Sequence, residues 1–399
     1  MTPSMIYLNP TARDYTYKPV PSSAGGATDE STVLAFHQSL PSYNETTLHT
    51  LPALAASLGL SHVLVKDESN RFGLPAFKIL GASWAVYRAV LSALHLDFVH
   101  DGGEQRDIVT TMKMVSVADL GSAARDRGLC IVTSTEGNCG RAVARMAKYL
   151  GLPVRVFVPE YMSEATRQKI RGEGAEVLVV KGTYEDTIPV IRKEAEEREG
   201  SVLVLDVGLE GYEVVPKYFV EGYSSMLAES DKQAPELTGG KPATHAIVPC
   251  GAGSIAQAVA QHYKDAERQR QHGSATVIAV EATTAASLKT SLEAGEPTLV
   301  QTADTIMNGM NCGALSTLAW PVLSQGVDAS VVVTEQESHA AVEELKSSGI
   351  PAGPCGAATL AALRRVCADS RARSELGLGP ESIVVLHCTE GARDYPVPS

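Results

Sequence analysis

The sequence predicts an α/β protein with two open, mainly parallel, twisted sheets and helices on both faces of each. The first observation is that short runs rich in Val, Ile and Leu alternate with segments of helical periodicity. The second is that these runs are nearly continuously apolar, as in strands that are covered on both sides. The third is a polar stretch at 230–242, broken by Pro235, Gly239 and Gly240, which divides the alternation into two series.

Each element follows from its local pattern. Helical periodicity predicts helices over 51–58, 82–96, 141–150, 163–172 and 184–199, with further helices beginning at 254 and 335. Short β-branched runs predict strands over 62–66, 129–133, 154–159, 176–180, 202–206, 245–249, 276–281, 329–333 and 383–388. Residues 97–115 are polar without a core pattern and are expected to be a surface excursion.

These elements group into two predicted domains. Residues 80–230 form the smaller α/β domain, and residues 1–79 together with 231–399 form the larger one. Residues 1–45 are rich in Pro, Ser, Thr and Tyr, and we expect an irregular lead-in there.

Composition excludes several classes of function. The net charge of −12 and the lack of a basic stripe argue against a nucleic-acid or anionic-membrane surface. There is no apolar run long enough to cross a bilayer and no basic-then-apolar N-terminal signal. The seven cysteines form no C-x-x-C pair, so we expect no metal site and no disulfide framework. A cytoplasmic location is the expectation.

The segment 66–83 holds a lysine, Lys78, between the apolar residues Phe77 and Ile79. Desolvation lowers the pKa of an amine, and a neutral amine attacks an aldehyde to form a Schiff base. The alternative is a lysine that begins a helix and extends its charged end to solvent.

The strand at 245–249 is followed by a tight turn and a helix. Gly251, Ala252, Gly253 and Ser254 form this turn, and amides at a helix N-terminus bind phosphate. The segment lacks both the P-loop lysine and the full G-x-G-x-x-G, so a single phosphate monoester is predicted. The alternative is a turn with no ligand.

Two further loops follow predicted strands. In the first, Ser134, Thr135, Glu136, Gly137 and Asn138 lead into a helix, where hydroxyls and amides would hold a substrate carboxylate. Ordinary helix capping is the alternative. The second loop begins with Thr389, at the carboxyl end of the last strand, where such sheets bind ligands and a hydroxyl could meet a heteroaromatic nitrogen. The alternative, which local evidence favours, is a strand-end hydroxyl bonded within the protein.

A lysine nucleophile, a phosphate loop, a carboxylate loop and a strand-end hydroxyl together describe a pyridoxal phosphate (PLP) site. On residues 67–78, 210–213, 304–313, 353–358 and 389–391 the chain resembles the fold type II (tryptophan synthase β-like) PLP enzymes. Within these it is most similar to diaminopropionate ammonia-lyase.

The resemblance implies a role for each candidate residue. Lys78 forms the internal aldimine with PLP, Phe77 packs beside its ring, Asn138 meets its 3′-oxygen and Thr389 faces its pyridine nitrogen. Its phosphate is held by Gly251, Ala252, Gly253 and Ser254 of the larger, PLP-binding domain. The substrate carboxylate is bound by the segment that contains Ser134, Thr135, Glu136 and Gly137.

The resemblance also implies the reaction. It is the α,β-elimination of ammonia from 2,3-diaminopropionate or a related β-substituted amino acid, giving pyruvate and ammonia through aminoacrylate. Lys78, Glu136 and Asp206 are the expected catalytic residues, and a homodimer is the expected assembly. The alternatives are a serine/threonine dehydratase or a β-replacement synthase of the same fold, or else a non-catalytic PLP-binding relative.

The chain departs from the lyase in one loop. The lyase has Thr-Asp-Gly-Asn-His-Gly, whereas this chain has Glu136 for the aspartate and Cys139 for the histidine. Glutamate keeps the carboxylate but adds a methylene, and misplacement on that scale alters rates strongly. Cysteine removes a group that titrates near neutral pH.

Overall fold

The computed structural model describes residues 4–18, 30–96, 98–101, 104–107 and 114–398. Its strands are β1 (Ile6–Leu8), β2 (Leu48–Thr50), β3 (His62–Asp67), β4 (Phe98–Asp101), β5 (Glu104–Asp107), β6 (Cys130–Ser134), β7 (Val154–Pro159), β8 (Glu176–Val180), β9 (Ser201–Leu203), β10 (His245–Pro249), β11 (Thr276–Ala282), β12 (Ala329–Val333) and β13 (Ile383–Cys388).

The helices alternate with these strands along the chain. They are α1 (Glu30–Ser39), α2 (Pro52–Leu58), α3 (Lys78–Ala93), α4 (Val117–Asp126), α5 (Asn138–Leu150), α6 (Glu164–Arg171), α7 (Tyr184–Glu197), α8 (Val214–Gly222), α9 (Ser224–Thr238), α10 (Ser254–Tyr263), α11 (Ala266–His272), α12 (Ser287–Ala294), α13 (Trp320–Gly326), α14 (Glu335–Ser347), α15 (Pro354–Ala368) and α16 (Ser370–Glu375).

The larger sheet has seven strands in the order β1-β12-β11-β10-β13-β3-β2. Its five inner strands are parallel, and the edge strands β1 and β2 are antiparallel to their neighbours. Strand β13 lies inside the sheet, between β10 and β3, although the chain reaches it long after both.

The smaller sheet has four parallel strands in the order β8-β7-β6-β9. Every residue of β6, and likewise of β10, β12 and β13, is buried, so helices cover both faces of these strands. The predicted fold class, α/β with two mainly parallel sheets, is confirmed. The division into domains at 79/80 and 230/231 stays a prediction.

The expectation of an irregular lead-in over 1–45 is wrong for two segments. Residues Ile6–Leu8 form an edge strand beside β12, and Glu30–Ser39 form α1. A three-residue strand on a sheet edge carries too short a pattern to stand out from its polar surroundings. Residues 1–3 and 19–29 of the lead-in lie outside the described part of the chain.

The polar stretch at 230–242, predicted to be where the chain crosses between the two series, overlaps helix α9, which extends to Thr238. Its polar residues have distant partners. Lys66 Nζ donates to Glu229 Oε2 at 2.8 Å and to Gln233 Oε1 at 3.1 Å, and Arg71 donates to both oxygens of Glu229 at 2.7 Å. Polarity here therefore marks a buried ionic cluster, which local sequence cannot reveal.

Within the polar excursion expected at 97–115, β4 and β5 pair as an antiparallel hairpin. The rest of the excursion, up to 113, lies outside the described residues. Among the described helices, none is long and apolar enough to cross a membrane.

Candidate active site

Lys78 is the first residue of α3, and its side chain is 28% exposed. Its Nζ lies 2.7 Å from Asp206 Oδ2, and the Asp206 side chain is 13% exposed. Burial lowers the pKa of the Lys78 amine, but the carboxylate of Asp206 overrides this and raises it well above the usual value. In the same way, burial raises the pKa of Asp206, whereas the ammonium of Lys78 lowers it overall. Two residues predicted to be catalytic are thus brought into contact.

Asp206 follows β9 by three residues and also touches the predicted phosphate loop. Its main-chain oxygen accepts a hydrogen bond from Ser254 Oγ at 3.0 Å. Two residues later, the Gly208 amide donates to Ser316 Oγ at 3.0 Å, and the Ser316 amide donates to the carbonyl of Ala252 at 2.8 Å. The Asp206 loop and the loop after β10 are therefore tied together at two points.

The loop at 251–254 is shaped for a small anion. At Gly251 a Cβ atom would lie 3.0 Å from the carbonyl oxygen of Gly309 and 3.2 Å from Cys312 Sγ, so the close approach of these loops favours glycine. Gly253 has a φ of 101°, which side-chain-bearing residues rarely adopt. The amides of Gly251, Ala252 and Gly253 have no acceptor among the described residues. Together with the N-terminus of α10 they form a set of free donors suited to a phosphate ester.

Thr389 follows β13 and is joined to the lysine segment through the backbone. The amide of Phe77 donates to the carbonyl of Thr389 at 3.2 Å, and Ala76 forms a bridge with Glu390. The Thr389 hydroxyl has no hydrogen bond to another described residue, and the side chain is buried. Phe77 packs against Tyr223 with ring centroids 4.8 Å apart. The structure therefore brings Phe77, Lys78 and Thr389 together.

Asn138 begins α5 and lines a narrow cleft with Ala76 and Ile79, which flank the lysine. The two hydroxyls before it are occupied. Ser134 Oγ lies 2.5 Å from Thr187 Oγ1. Thr135 Oγ1 accepts from the amides of Gly137 and Gly140, both at 2.9 Å. These side chains shape the loop, so the donors that it leaves for a ligand are backbone amides and the Asn138 side chain.

Glu136 lies at the exposed side of this loop, where Tyr161 Oη donates a hydrogen bond to its Oε1. Partial desolvation raises the pKa of the Glu136 carboxyl; the bond from Tyr161 opposes this rise, and the nearby Glu185 adds to it. Lys78 and Asp206 also act on this pKa, so Glu136 is within electrostatic reach of the ion pair.

Four residues at the site were missed by the sequence reasoning: Tyr161, Tyr184, Tyr223 and Cys312. Burial raises the pKa of the phenols of Tyr184 and Tyr223, and the charges of Asp206 and Lys78 act on both. Tyr223 Oη is buried with no hydrogen-bond partner in the described part of the chain. Cys312 lies against Gly251, and burial raises its pKa to about 11. One signal was available, since Tyr161 follows the carboxyl end of a predicted strand.

The sequence also predicts that the chain has no disulfide framework and no metal site. All seven cysteines are free thiols, and no group of three or more His, Cys, Asp or Glu residues suited to a metal ion occurs among the described residues.

The family described as "Pyridoxal-phosphate dependent enzyme" matches residues 40–389. The chain belongs to this family. It is 34% identical to diaminopropionate ammonia-lyase of Salmonella typhimurium over 73% of this chain and 69% of that protein. It is 30% identical to diaminopropionate ammonia-lyase of Escherichia coli over 90% of this chain and 87% of that protein.

A solved structure gives the same result at the level of the fold. The Escherichia coli diaminopropionate ammonia-lyase in complex with an aminoacrylate-PLP azomethine reaction intermediate superposes with a TM-score of 0.79 at 26% identity, covering 97% of this chain and 93% of that one. The resemblance to fold type II PLP enzymes, and within them to diaminopropionate ammonia-lyase, is confirmed. The protein is a PLP-dependent enzyme, and the free amides at 251–253, the unbonded Thr389 hydroxyl and the accessible Lys78 amine fit that cofactor.

Proposed function

We propose that this enzyme eliminates ammonia from 2,3-diaminopropionate and yields pyruvate and ammonia. The observation that carries the proposal is the contact of 2.7 Å between Lys78 Nζ and Asp206 Oδ2, with a further carboxylate, Glu136, within electrostatic reach. A substrate with an additional amino group carries a β-ammonium charge, and two carboxylates beside the reactive lysine suit such a group. The names of the ammonia-lyase relatives support the same activity.

In this proposal the cofactor is held by residues from both sheets. Lys78 Nζ would bind it covalently, Phe77 would pack beside its ring, and Asn138 and Thr389 would offer polar groups to it. The free amides of the loop formed by Gly251, Ala252, Gly253 and Ser254 would hold its phosphate. When bound, the cofactor supplies a π-system that accepts the electron pair left by loss of the α-proton.

The chain's own residues move the protons. Two groups lie where they can take the α-proton: the Lys78 amine, once the substrate has displaced it and it is unprotonated, and the Asp206 carboxylate, 2.7 Å from Lys78 Nζ. The lowered pKa of Asp206 keeps this carboxylate ionised, so it also attracts the β-ammonium group of the substrate.

Glu136 holds the β-ammonium by a charge-assisted hydrogen bond and keeps it protonated, which makes it a better leaving group. The substrate carboxylate is bound by the segment Ser134, Thr135, Glu136 and Gly137. Because the hydroxyls of Ser134 and Thr135 are engaged within the protein, the binding donors are backbone amides together with Asn138. Overall, one water is consumed and the products are one pyruvate and two ammonia molecules, the first from the β-carbon and the second from hydrolysis of aminoacrylate.

A serine/threonine dehydratase is the second candidate, favoured by the change to Glu136 and Cys139 in the substrate loop. A hydroxyl leaving group has no charge for Glu136 to hold, so the two activities differ in their dependence on this residue. The assembly that we propose is a homodimer in the cytoplasm, built on a smaller domain at 80–230 and a larger one that comprises 1–79 and 231–399.

A substrate panel tests the function. Purified enzyme is incubated with both enantiomers of 2,3-diaminopropionate, serine, threonine and O-acetylserine, and ammonia and 2-oxoacid are measured. The proposal expects pyruvate to form fastest from diaminopropionate; preferential turnover of serine or threonine would make the enzyme a dehydratase. Lys78→Ala should abolish both turnover and borohydride labelling, whereas the exposed-lysine control Lys232→Ala should retain both.

A further inference from the structure

Tyr161 and Glu136 occupy equivalent places on neighbouring strands of the four-stranded sheet. Strands β6 and β7 are parallel, with Ser134 in register with Phe157. Glu136 stands two residues beyond the end of β6, and Tyr161 stands two residues beyond the end of β7. Because carboxyl ends of parallel strands share one edge, both side chains lie at the edge where Asp206 follows β9.

Packing does not account for the tyrosine at this position. Its side chain is 59% exposed, so little apolar burial is gained there. Its polar end has a definite contact, because Oη donates to Glu136 Oε1. Partial desolvation and this bond to Glu136 raise the pKa of Tyr161, and the phenol therefore stays a protonated donor at working pH.

A glutamate at an exposed loop has several rotamers of similar energy, and ordering a long side chain costs conformational entropy. A donor fixed to one carboxylate oxygen restricts this freedom and leaves the other oxygen available. A glutamate held in this way can present its free oxygen to a cation at one place, as a bound ammonium group requires.

We propose that Tyr161 is a positioning residue that makes the enzyme selective for substrates with a cationic β-substituent, by holding the Glu136 carboxylate toward the substrate's ammonium group. The inference rests on the proposed function, since it assumes that a β-ammonium is the group that Glu136 binds. A substrate with a neutral β-hydroxyl gains little from an oriented carboxylate, so its turnover does not depend on Tyr161.

The charges around Glu136 give the proposal a pH signature. The groups that act on this carboxyl or lie near it are Tyr161, Glu185, Lys78, Asp206 and Cys312. Of these, Tyr161 and Lys78 lower the pKa of Glu136, and Glu185 and Asp206 raise it. Removal of the tyrosine hydroxyl leaves the raising influences less opposed, so Glu136 becomes protonated at higher pH and loses its hold on the ammonium.

The test compares Tyr161→Phe with the wild-type holoenzyme, using diaminopropionate and serine as substrates. We expect kcat/KM for diaminopropionate to fall about tenfold, mainly through KM, as for loss of a charge-assisted hydrogen bond at a partly exposed site. The acidic limb of that pH profile should move to higher pH, while turnover of serine should change less than about twofold.

Tyr149→Phe is the matched control, because it removes a hydroxyl that donates to the carbonyl of Pro41 at the far end of α5. This variant should leave kcat/KM unchanged for both diaminopropionate and serine. A second variant, Glu136→Gln, should lose activity on diaminopropionate, and adding Tyr161→Phe to it should cause no further loss.

An unchanged diaminopropionate profile in Tyr161→Phe, or an equal loss on both substrates, would overturn the proposal. So would a further loss from Tyr161→Phe in the Glu136→Gln background. If the wild-type enzyme does not act on diaminopropionate at all, the proposed function itself fails, and this outcome is seen before any variant is made.

Discussion

Replacing Asp206 with asparagine should make the Lys78 amine more reactive toward an aldehyde. Only the unprotonated amine attacks a carbonyl, and the carboxylate 2.7 Å away holds the proton on Nζ. Asparagine keeps the size of the side chain and removes its charge. Burial, which lowers the pKa of Lys78, is then less opposed.

The size of this effect can be worked out from the distance between the charged groups of Lys78 and Asp206. Two unit charges 2.7 Å apart attract by about 6 kcal/mol at an effective dielectric constant of about 20. Desolvation offsets much of this, and a hydrogen bond between charged groups is worth about 1.5–3 kcal/mol net. That range corresponds to a factor of about 10 to 100 in an equilibrium constant. At a pH well below the pKa of Lys78, the unprotonated fraction of the amine and its rate of attack should therefore rise about 10- to 100-fold.

The assay follows cofactor uptake. Cofactor is removed from wild-type and Asp206→Asn protein, PLP is added back, and the visible absorbance of the lysine-bound form is recorded over time at several pH values. The variant should bind PLP faster than wild type at neutral pH, and the pH dependence of its binding rate should be shifted toward lower pH. Glu381→Gln removes a charge from an exposed pair with Lys241 and serves as the control. If wild type and variant bind cofactor at the same rate and with the same pH profile, Asp206 does not hold the proton on Lys78.

Three further predictions concern the cofactor loop, the strand-end hydroxyl and the buried ionic cluster. Gly253→Ala places a Cβ 2.7 Å from that of Ala319 at a φ of 101°, and should lower the free energy of unfolding by about 2–4 kcal/mol and weaken PLP retention. Gly349→Ala is the control, because Gly349 is also at positive φ but has open space around it. It should lower the free energy of unfolding less and leave PLP retention unchanged, as measured by thermal unfolding and by dialysis. Thr389→Val removes the free hydroxyl and should shift the visible spectrum of bound cofactor and reduce kcat about tenfold; an unaltered spectrum and rate would contradict its role. Burial raises the pKa of Glu229, but bonds from Arg71 and Lys66 lower it to about 2. Ionised Glu229 should therefore add about 3 kcal/mol to the free energy of unfolding at pH values above about 4.3, where a glutamate in the unfolded chain titrates. This contribution should be lost as pH falls toward 2. Glu229→Gln should flatten this part of the pH dependence of the unfolding free energy, whereas Glu45→Gln, in a more exposed pair with Lys232, should not.

Local sequence predicted the elements that depend on local chemistry. The runs at 154–159, 176–180, 245–249, 329–333 and 383–388 coincide with the observed strands, because β-branched runs between turns are self-contained signals. The turn from Gly251 to Ser254 was likewise visible as strand, glycines and helix. The resemblance to a family added the roles of Asn138 and Thr389, which their own surroundings did not specify.

Contacts between distant segments were beyond local sequence. Nothing near Lys78 indicates that Asp206, 128 positions away, holds its proton. The burial of Glu229 and Gln233 was likewise not visible locally, because their partners Lys66 and Arg71 lie far back in the chain. Tyr161 differs from these residues, since its place beyond the carboxyl end of β7 is a signal that the local sequence does contain.

The position of β13 between β10 and β3 has a consequence for biosynthesis. A nascent chain acquires Lys78 early, together with β3, but the strand that separates β3 from β10 and carries Thr389 emerges some three hundred residues later. Until then the amide of Phe77 has no carbonyl to bond, and the lysine segment has no fixed position relative to the anion-binding loop. The site is therefore complete only in a chain that has been translated past this strand.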